Sequence, residues 1–253
     1  MQLTQQVVLI TGAGRGLGAQ IARSFAREGA KVVLNYYKSQ AAAEAHVQEI
    51  GKSALAIQAD VRDKAAVEKM VAQAQVHFDQ PVSTVVNNAL VNYKFDLGTK
   101  KDAANISWED YQEQLEGAVK GSLNTLQACL EGMKEQQFGR VINIGTNLFQ
   151  NPVVPYHDYT TSKGALLAFT RNMANELGQH GITVNMLSGG LLRTTDASAA
   201  TSAEVFGIIE ATTPLRRVTT PEEAADATLF FASPWARAVT GQNLVVDGGL
   251  VFN

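Results

Sequence analysis

The sequence has little of what marks several large classes of protein. It contains a single cysteine, Cys129, so no internal disulfide can form and a reducing, cytoplasmic location is expected. The net charge of −3 argues against nucleic acid as a main partner, because proteins that bind it usually carry an excess of positive charge. The N-terminal segment has no basic start and only a short apolar run, which predicts neither a signal peptide nor a membrane anchor. The four histidines lack metal-ligand spacing, so no metal site is predicted.

The composition that is present is typical of a globular protein. The chain has 253 residues, of which 45% are hydrophobic and 18% charged, enough to bury a sizeable core. No Pro-, Gly- or Ser-rich linker, short repeat or low-complexity tract divides it. Residues 1–253 are therefore predicted to form one domain.

Short β-branched runs alternate with longer helical patterns along the chain. Most runs are apolar throughout, as in strands buried on both faces of a parallel sheet. The predicted strands are residues 6–10, 31–35, 54–59, 83–88, 140–145, 183–187 and 243–247. The predicted helices are residues 17–28, 40–50, 64–78, 108–136 and 156–180, and another begins at a capping box formed by Thr220 and Glu223. This alternation predicts a doubly wound α/β fold: a Rossmann-type three-layer sandwich around a seven-stranded parallel sheet.

A glycine-rich loop follows the first predicted strand and leads into the first helix. It contains Gly12, Gly14, Gly16, Leu17 and Gly18. A dinucleotide site needs a sharp turn off a strand, close approach of the pyrophosphate to the backbone, and a helix whose N-terminal amides face the phosphates. A merely flexible loop is the alternative, which the position between a buried strand and an amphipathic helix disfavours. We therefore predict that this loop binds a dinucleotide.

The end of the second strand indicates which dinucleotide. An acidic residue there would bind an unphosphorylated adenosine ribose. The sequence instead has Asn35, followed by Lys38, and Arg15 lies within the glycine loop. A neutral residue with two cations suits a 2′-phosphate, which favours NADP(H) over NAD(H). The alternative is that Arg15 and Lys38 are solvated surface charges.

Tyr159 and Lys163 are spaced one helical turn apart in the stretch "YHDYTTSKG". Residues at this spacing are ordinary neighbours on a helix surface, so the spacing alone favours no function. A nearby ammonium would, however, lower the pKa of a phenol from its usual value of about 10. The pair is therefore a candidate acid/base site if other features support one.

Several segments together resemble the short-chain dehydrogenase/reductase family over nearly the whole chain. They are "TGAGRGLG", "ADV", "VNNA", "YTTSK" and "VTGQNLVVDGG", in this order. Within the family the sequence looks most like bacterial 3-oxoacyl-[acyl-carrier-protein] reductases. The resemblance implies NADPH-dependent reduction of a ketone or 3-oxoacyl thioester to a secondary alcohol, and a homotetrameric assembly.

The resemblance also implies roles for individual residues. Tyr159 would be the acid/base, and Lys163 would bind the nicotinamide ribose and lower the pKa of the phenol. Thr146 stands where the family has a serine that hydrogen-bonds the reacting carbonyl, although a structural threonine is the alternative. Further cofactor contacts implied by the resemblance are Asp60, Val61, Asn88, Ala89, Leu192 and Thr194.

Some positions depart from the family pattern. Ala118 replaces an asparagine that holds a water in the proton relay, and Leu90 replaces a glycine beside the cofactor. These departures leave open a second hypothesis, an NADP-binding sensor or assembly protein with little catalysis. Residues 91–107 form a longer stretch than in the carrier-protein reductases, either a pocket wall or a surface excursion.

An acyl carrier protein is a possible partner, but the sequence supports it weakly. The positions that match the basic docking residues of carrier-protein reductases are Gln137 and His180, neither of which carries a permanent charge. Lys134 and Arg140 lie nearby in sequence and leave this partner open.

Overall fold

The structure is a computed structural model that describes residues 1–93, 95–193, 195 and 198–252. Its centre is a single sheet of parallel strands. The strands are β1 (Val7–Ile10), β2 (Lys31–Tyr36), β3 (Ala54–Gln58), β4 (Thr84–Asn87), β5 (Gly139–Thr146), β6 (Ile182–Gly189) and β7 (Asn243–Val246). Their spatial order is β3-β2-β1-β4-β5-β6-β7. The predicted doubly wound fold with a seven-stranded parallel sheet is confirmed.

The strand order reverses between β1 and β4. Val8 pairs with Thr84 and Ile10 with Val86, so the two strands run parallel in register. The chain leaves β1 towards β2 on one side and returns in β4 on the other. In such sheets the connections diverge at this point and open a crevice at the carboxyl ends of the strands, where ligands bind.

Helices cover both faces of the sheet. They are α1 (Gly16–Arg27), α2 (Gln40–Ile50), α3 (Lys64–Phe78), α4 (Trp108–Leu115), α5 (Gly121–Glu135), α6 (His157–Leu177), α7 (Ala203–Thr212) and α8 (Pro221–Ala232). Alternate side chains of β1 reach opposite faces, as the pleat requires. Val7 and Leu9 pack with α3, α5 and α6, whereas Val8 and Ile10 pack with α1, α2 and α8.

The structure differs from the predicted helices in two places. The helix predicted for residues 108–136 is divided by a π-helical turn, Glu116–Lys120, between α4 and α5. The helix α7 was not predicted, because its β-branched residues and Gly207 have low helix propensity. Its sequence signal was the N-cap Ser202, whose hydroxyl accepts from the Val205 amide. The predicted capping box of α8 is confirmed by reciprocal hydrogen bonds between Thr220 and Glu223.

A chain of buried hydrogen bonds ties β4 and β5 to the helices behind them. The Thr125 hydroxyl of α5 donates to Asn87 of β4 at 2.7 Å. Asn87 donates to Asn143 of β5 at 2.8 Å, and Asn143 donates to Thr170 of α6 at 2.8 Å. Buried amides and hydroxyls are costly unless they are paired, so these bonds fix how α5 and α6 sit against the sheet.

We expect Asn143→Ala to lower the free energy of unfolding by about 2–4 kcal/mol. The substitution removes two hydrogen bonds and leaves Asn87 a buried donor without a partner, and each such loss costs roughly 1–3 kcal/mol. Urea unfolding of the two proteins measures the difference. Gln73→Ala, at an exposed position of α3, is the control and should change stability by less than about 0.5 kcal/mol. Equal effects of the two substitutions would show that these buried hydrogen bonds contribute nothing to the free energy of unfolding.

Candidate active site

The glycine loop lies at the carboxyl end of β1, where the chain turns into α1. Gly12 has a φ of +65°, and a Cβ there would stand 2.9 Å from the Cα of Ala89. A Cβ on Gly18 would stand 2.5 Å from the side-chain nitrogen of Asn88. Side chains do not tolerate such approaches, so these two positions require glycine. The loop is thereby drawn against the end of β4, and the N-terminal amides of α1 stand at the crevice, as a pyrophosphate site needs.

Thr11 joins this loop to the segment after β4, a role that was not predicted. Its hydroxyl accepts from the backbone amides of Asn88 and Ala89 at 2.9 and 3.0 Å. In return, the Asn88 side chain donates to the carbonyls of Thr11 and Gly12 at 2.9 and 3.2 Å. Asn88 and Ala89, both predicted cofactor contacts, therefore lie beside the glycine loop. The sequence could have indicated this role of Thr11, because the residue directly precedes Gly12 at the start of the loop.

Asn35 lies near the end of β2, as predicted, and its side chain is buried beneath the glycine loop. It is 2% exposed, and its side-chain oxygen accepts from the Gly12 amide at 3.3 Å. Its side-chain nitrogen donates to the carbonyl of Ala59 at 3.0 Å. Because both polar atoms of its side chain are hydrogen-bonded inside the protein, Asn35 supports the glycine loop, and its place as a neutral residue beside the cofactor stays a prediction.

Ser39 lies directly against the glycine loop, and it too was not predicted. A Cβ on Gly14 would collide with the Ser39 hydroxyl. Gly14 and Ser39 touch, and their sequence neighbours Arg15 and Lys38 are both exposed. Arg15 is the N-cap of α1 and Ser39 is the N-cap of α2. Two cations, a hydroxyl and two helix N-termini favour an anion such as a 2′-phosphate at this place.

Asp60 and Val61 follow β3 at the same edge of the sheet. The Asp60 carboxylate bonds the Arg62 guanidinium at 2.7 Å, and this pairing holds the pKa of Asp60 below its usual value. The Val61 carbonyl accepts from the Asn124 side chain at 2.8 Å. The other predicted contacts are the half-buried Leu17 and Leu192, and Thr194, which lies outside the described residues.

The three predicted catalytic side chains lie together. Thr146 ends β5, while Tyr159 and Lys163 are one turn apart on α6. All three are buried, and the Thr146 hydroxyl is near enough to the Tyr159 phenol to affect its pKa. The Lys163 ammonium donates to the Ile144 carbonyl at 2.7 Å and lies 5.8 Å from the centre of the Tyr159 ring. Burial excludes the alternative that Tyr159 and Lys163 are surface neighbours.

Burial moves the pKa values of the pair in opposite directions. It raises the pKa of Tyr159 to about 12, and the nearby Thr146 hydroxyl opposes this rise only in part. It lowers the pKa of Lys163 to about 8. Both shifts favour the neutral form, because a buried site solvates charge poorly. The lowered phenol pKa implied by the resemblance is therefore not a property of the chain alone.

Tyr93 and Phe95, two described residues of the longer stretch 91–107, cover this site. The Tyr93 ring stacks on the Tyr159 ring, with centres 5.0 Å apart and planes 28° apart. The Phe95 ring meets the same phenol edge-on, at 5.1 Å and 83°. Of the two alternatives left by the sequence, the structure supports the pocket wall.

The single cysteine lies away from this chemistry. Cys129 is fully buried, and burial raises the pKa of its thiol to about 12, which makes it a poor nucleophile. Within the described ranges, no group of three or more His, Cys, Asp or Glu side chains is arranged to hold a metal ion. No helix in the same ranges is both long and apolar enough to cross a membrane.

Known proteins match the chain over almost its whole length. The profile of a family described as enoyl-(acyl carrier protein) reductase matches residues 12–251. A 3-oxoacyl-[acyl-carrier-protein] reductase of Synechocystis sp. is 34% identical, over 99% of this chain and 98% of the relative. Versicolorin reductase 1 of Aspergillus parasiticus is 36% identical, over 98% and 97%. A blue fluorescent protein from a metagenomic library, crystallised in complex with NADPH, has a TM-score of 0.87 and 34% identity over 100% of both chains.

The chain belongs to the short-chain dehydrogenase/reductase family. The family consists of nicotinamide-dependent oxidoreductases, and the resemblance inferred from the motifs is thereby confirmed. The seven-stranded parallel sheet agrees with this assignment. The residues at the site follow the family pattern at Tyr159 and Lys163, but not throughout.

Ala118 is the main departure of this short-chain dehydrogenase/reductase from the family pattern. It lies in the π-helical turn Glu116–Lys120, and its carbonyl accepts from the Ser122 hydroxyl at 2.7 Å. A cavity of about 10 Å³, roughly the room of one water molecule, is lined in part by Ala118, Ser122 and Lys163. A polar hydroxyl and an ammonium thus border the cavity, although residue 118 itself has no polar side-chain atom.

We expect Ala118→Asn to raise kcat for ketone reduction, by less than the roughly 10²-fold contributed by a complete general acid. An amide at the cavity would order a water beside Lys163, which helps proton delivery in the transition state and leaves KM nearly unchanged. Steady-state kinetics across pH measures the effect. Ala118→Leu, which has a similar size and no polar atom, is the matched control. Unchanged or lower turnover in a folded Ala118→Asn protein would show that the relay is already complete.

Proposed function

We propose that the protein reduces a carbonyl group to a secondary alcohol with NADPH, and that Tyr159 is the acid/base. The observation that carries this proposal is the buried cluster of Thr146, Tyr159 and Lys163 beside the glycine loop. The Thr146 and Tyr159 hydroxyls are near neighbours, so we expect both to donate to one substrate oxygen. A carbonyl oxygen that becomes an alkoxide needs such a pair of donors.

The fit of the cofactor rests on the glycine loop and the residues beside it. Side chains at Gly12 or Gly18 would clash with Ala89 or Asn88, so only glycine permits the tight turn that lets a pyrophosphate approach the backbone. Arg15, Lys38 and Ser39 supply positive charge and a hydroxyl for a 2′-phosphate. The NADPH bound in the similar metagenomic protein supports the same choice.

The bound nicotinamide would supply the hydride that adds to the carbonyl carbon. Thr146 and Tyr159 would orient the substrate through hydrogen bonds to its oxygen, and Tyr159 would transfer its hydroxyl proton to that oxygen. Lys163 uses one of its three donors on the Ile144 carbonyl, so two remain for the nicotinamide ribose. Its charge, close to the phenol ring, also stabilises the phenolate that the proton transfer leaves behind.

We infer that the substrate is a 3-oxoacyl thioester or a related ketone, as the names of the relatives suggest. The docking of an acyl carrier protein gains no support from Arg140. That residue is 6% exposed, and its guanidinium donates to the carbonyls of Gly139 and Gly181. It is therefore unavailable to a surface partner. A homotetramer, implied by the family, stays a prediction.

Reduction of a carbon–carbon double bond is a second candidate, because the matching family profile is described as an enoyl reductase. Such a reaction delivers the proton to carbon, for which two hydroxyls converging on one oxygen are poorly placed. Acetoacetyl and crotonyl thioesters separate the two reactions directly. We expect NADPH oxidation with the first and little with the second.

Replacing Tyr159 by Phe should lower kcat by roughly 10²–10⁴-fold, because the proton donor is lost while the ring and its packing are retained. The measurement is NADPH oxidation with acetoacetyl thioester, accompanied by the Kd for NADPH, which should hardly change. Tyr111→Phe, a tyrosine of α4 stacked on Trp108, is the matched control and should keep full activity. A Tyr159→Phe protein that retained more than about a tenth of the turnover would require another acid.

A further inference from the structure

Four aromatic rings form one contiguous cluster over the candidate active site, and we call it the aromatic box. Tyr93 and Phe95 come from the segment after β4, and Tyr156 and Tyr159 from the start of α6. Besides their contacts with Tyr159, Tyr93 and Phe95 pack on Tyr156 with ring centres 5.9 and 5.5 Å away. The phenol that would donate the proton is therefore one wall of an aromatic enclosure.

The segment that carries two walls of the box is fastened to α4. The Val91 carbonyl accepts from the buried Gln114 side chain at 3.1 Å. Asn92 donates to Glu113 at 2.8 Å, and the Lys101 ammonium bonds the Asp110 carboxylate at 2.6 Å. Contacts on both sides of Tyr93 and Phe95 therefore hold these rings in place over the site.

The outer side of the box is closed by a cation. The Lys100 ammonium lies 3.4 Å from the centre of the Tyr93 ring and 5.4 Å from that of Tyr156. Partial burial lowers the pKa of Lys100 below its usual value. The Tyr93 hydroxyl is buried, and this burial, together with the nearby Asp158 carboxylate, raises its pKa above the usual phenol value. The box thus offers apolar ring faces bordered by the Lys100 ammonium.

We propose that Tyr93 and Phe95 make the protein selective for ketones that carry an aromatic ring on, or one atom from, the carbonyl carbon. This inference rests on the proposed function and names its substrate class. A carbonyl oxygen bonded to the Tyr159 hydroxyl places its substituents a few ångströms from the Tyr159 ring. That space is bounded by Tyr93 and Phe95, so a flat aromatic substituent can exchange ring contacts with both.

An aliphatic substituent would disrupt the stacking of Tyr93 on Tyr159 without forming a ring–ring contact in its place. Stacked and edge-on ring pairs are each worth about 0.5–1.5 kcal/mol beyond burial, which is roughly 2- to 13-fold in affinity. A substituent that enters the space beside the phenol replaces part of the contact between the Tyr93 and Tyr159 rings. An aromatic substituent restores a stacked contact with Tyr93, whereas an acyl chain of the same bulk restores burial alone.

The test compares two ketones that differ only in the character of one ring: ethyl 3-oxo-4-phenylbutanoate and ethyl 3-oxo-4-cyclohexylbutanoate. In both, a methylene separates the ring from the carbonyl, so the intrinsic reactivity of the ketone is similar. We expect the wild-type protein to prefer the phenyl ester in kcat/KM. Tyr93→Leu and Phe95→Leu should each lower kcat/KM for the phenyl ester about 2- to 13-fold and change that for the cyclohexyl ester less than about twofold.

Trp108→Leu is the matched control, an exposed aromatic residue of α4 outside the box. It should leave both esters unaffected, and the NADPH Kd and thermal unfolding of each variant show whether its fold is intact. Equal losses on both esters, or no loss on either, would overturn the selectivity while the carbonyl-reductase function stands. If wild-type protein oxidises NADPH with neither ester nor acetoacetyl thioester, the proposed function itself fails, and this inference fails with it.

Discussion

Burial of a phenol beside an ammonium is the constraint on which the rest of the site depends. Tyr159 and Lys163 are both almost completely enclosed, and each is held closer to its neutral form than in water. In the chain alone, then, Tyr159 is a poor acid at neutral pH, and Lys163 loses part of its charge near pH 8. The carbonyl of Ile144 keeps the ammonium in place. A positive nicotinamide ring at the adjacent crevice would favour the phenolate and shift this balance towards proton exchange.

The fold keeps that pair enclosed through contacts far from the chemistry. The hydrogen bonds that run from Thr125 through Asn87 and Asn143 to Thr170 fix α5 and α6 against β4 and β5. Small residues bring α5 and its π-helical turn close to the strand ends, since a Cβ on Gly121 would stand 3.0 Å from the Val61 side chain. The aromatic box then closes the opposite side. The low exposure of Tyr159 and Lys163, which sets the direction of both pKa shifts, is thus produced by packing of several elements around the pair.

Motifs with a strong local cause were predictable from the sequence. The glycine loop, the strand ends and the one-turn spacing of Tyr159 and Lys163 follow from turn geometry and helix periodicity. The side-chain direction of Asn35 was not predictable, because its hydrogen bonds to Gly12 and Ala59 join three segments. Ser39 and the aromatic box depend likewise on contacts between segments distant in sequence. The π-helical turn interrupts a continuous helical pattern, so no local signal marked it.

The most direct test of this description is the ionisation of Tyr159 itself. Subtracting the ultraviolet absorbance of the Tyr159→Phe protein from that of the wild type, as pH is raised, isolates the phenolate of this one residue. Without the dinucleotide we expect no ionisation through pH about 10, the usual phenol pKa. With NADP⁺ bound, the phenolate should form below that pH, because the positive ring opposes the effect of burial. If Tyr159 ionised at the same pH with and without NADP⁺, the claim that the cofactor's charge offsets the effect of burial on this phenol would be contradicted.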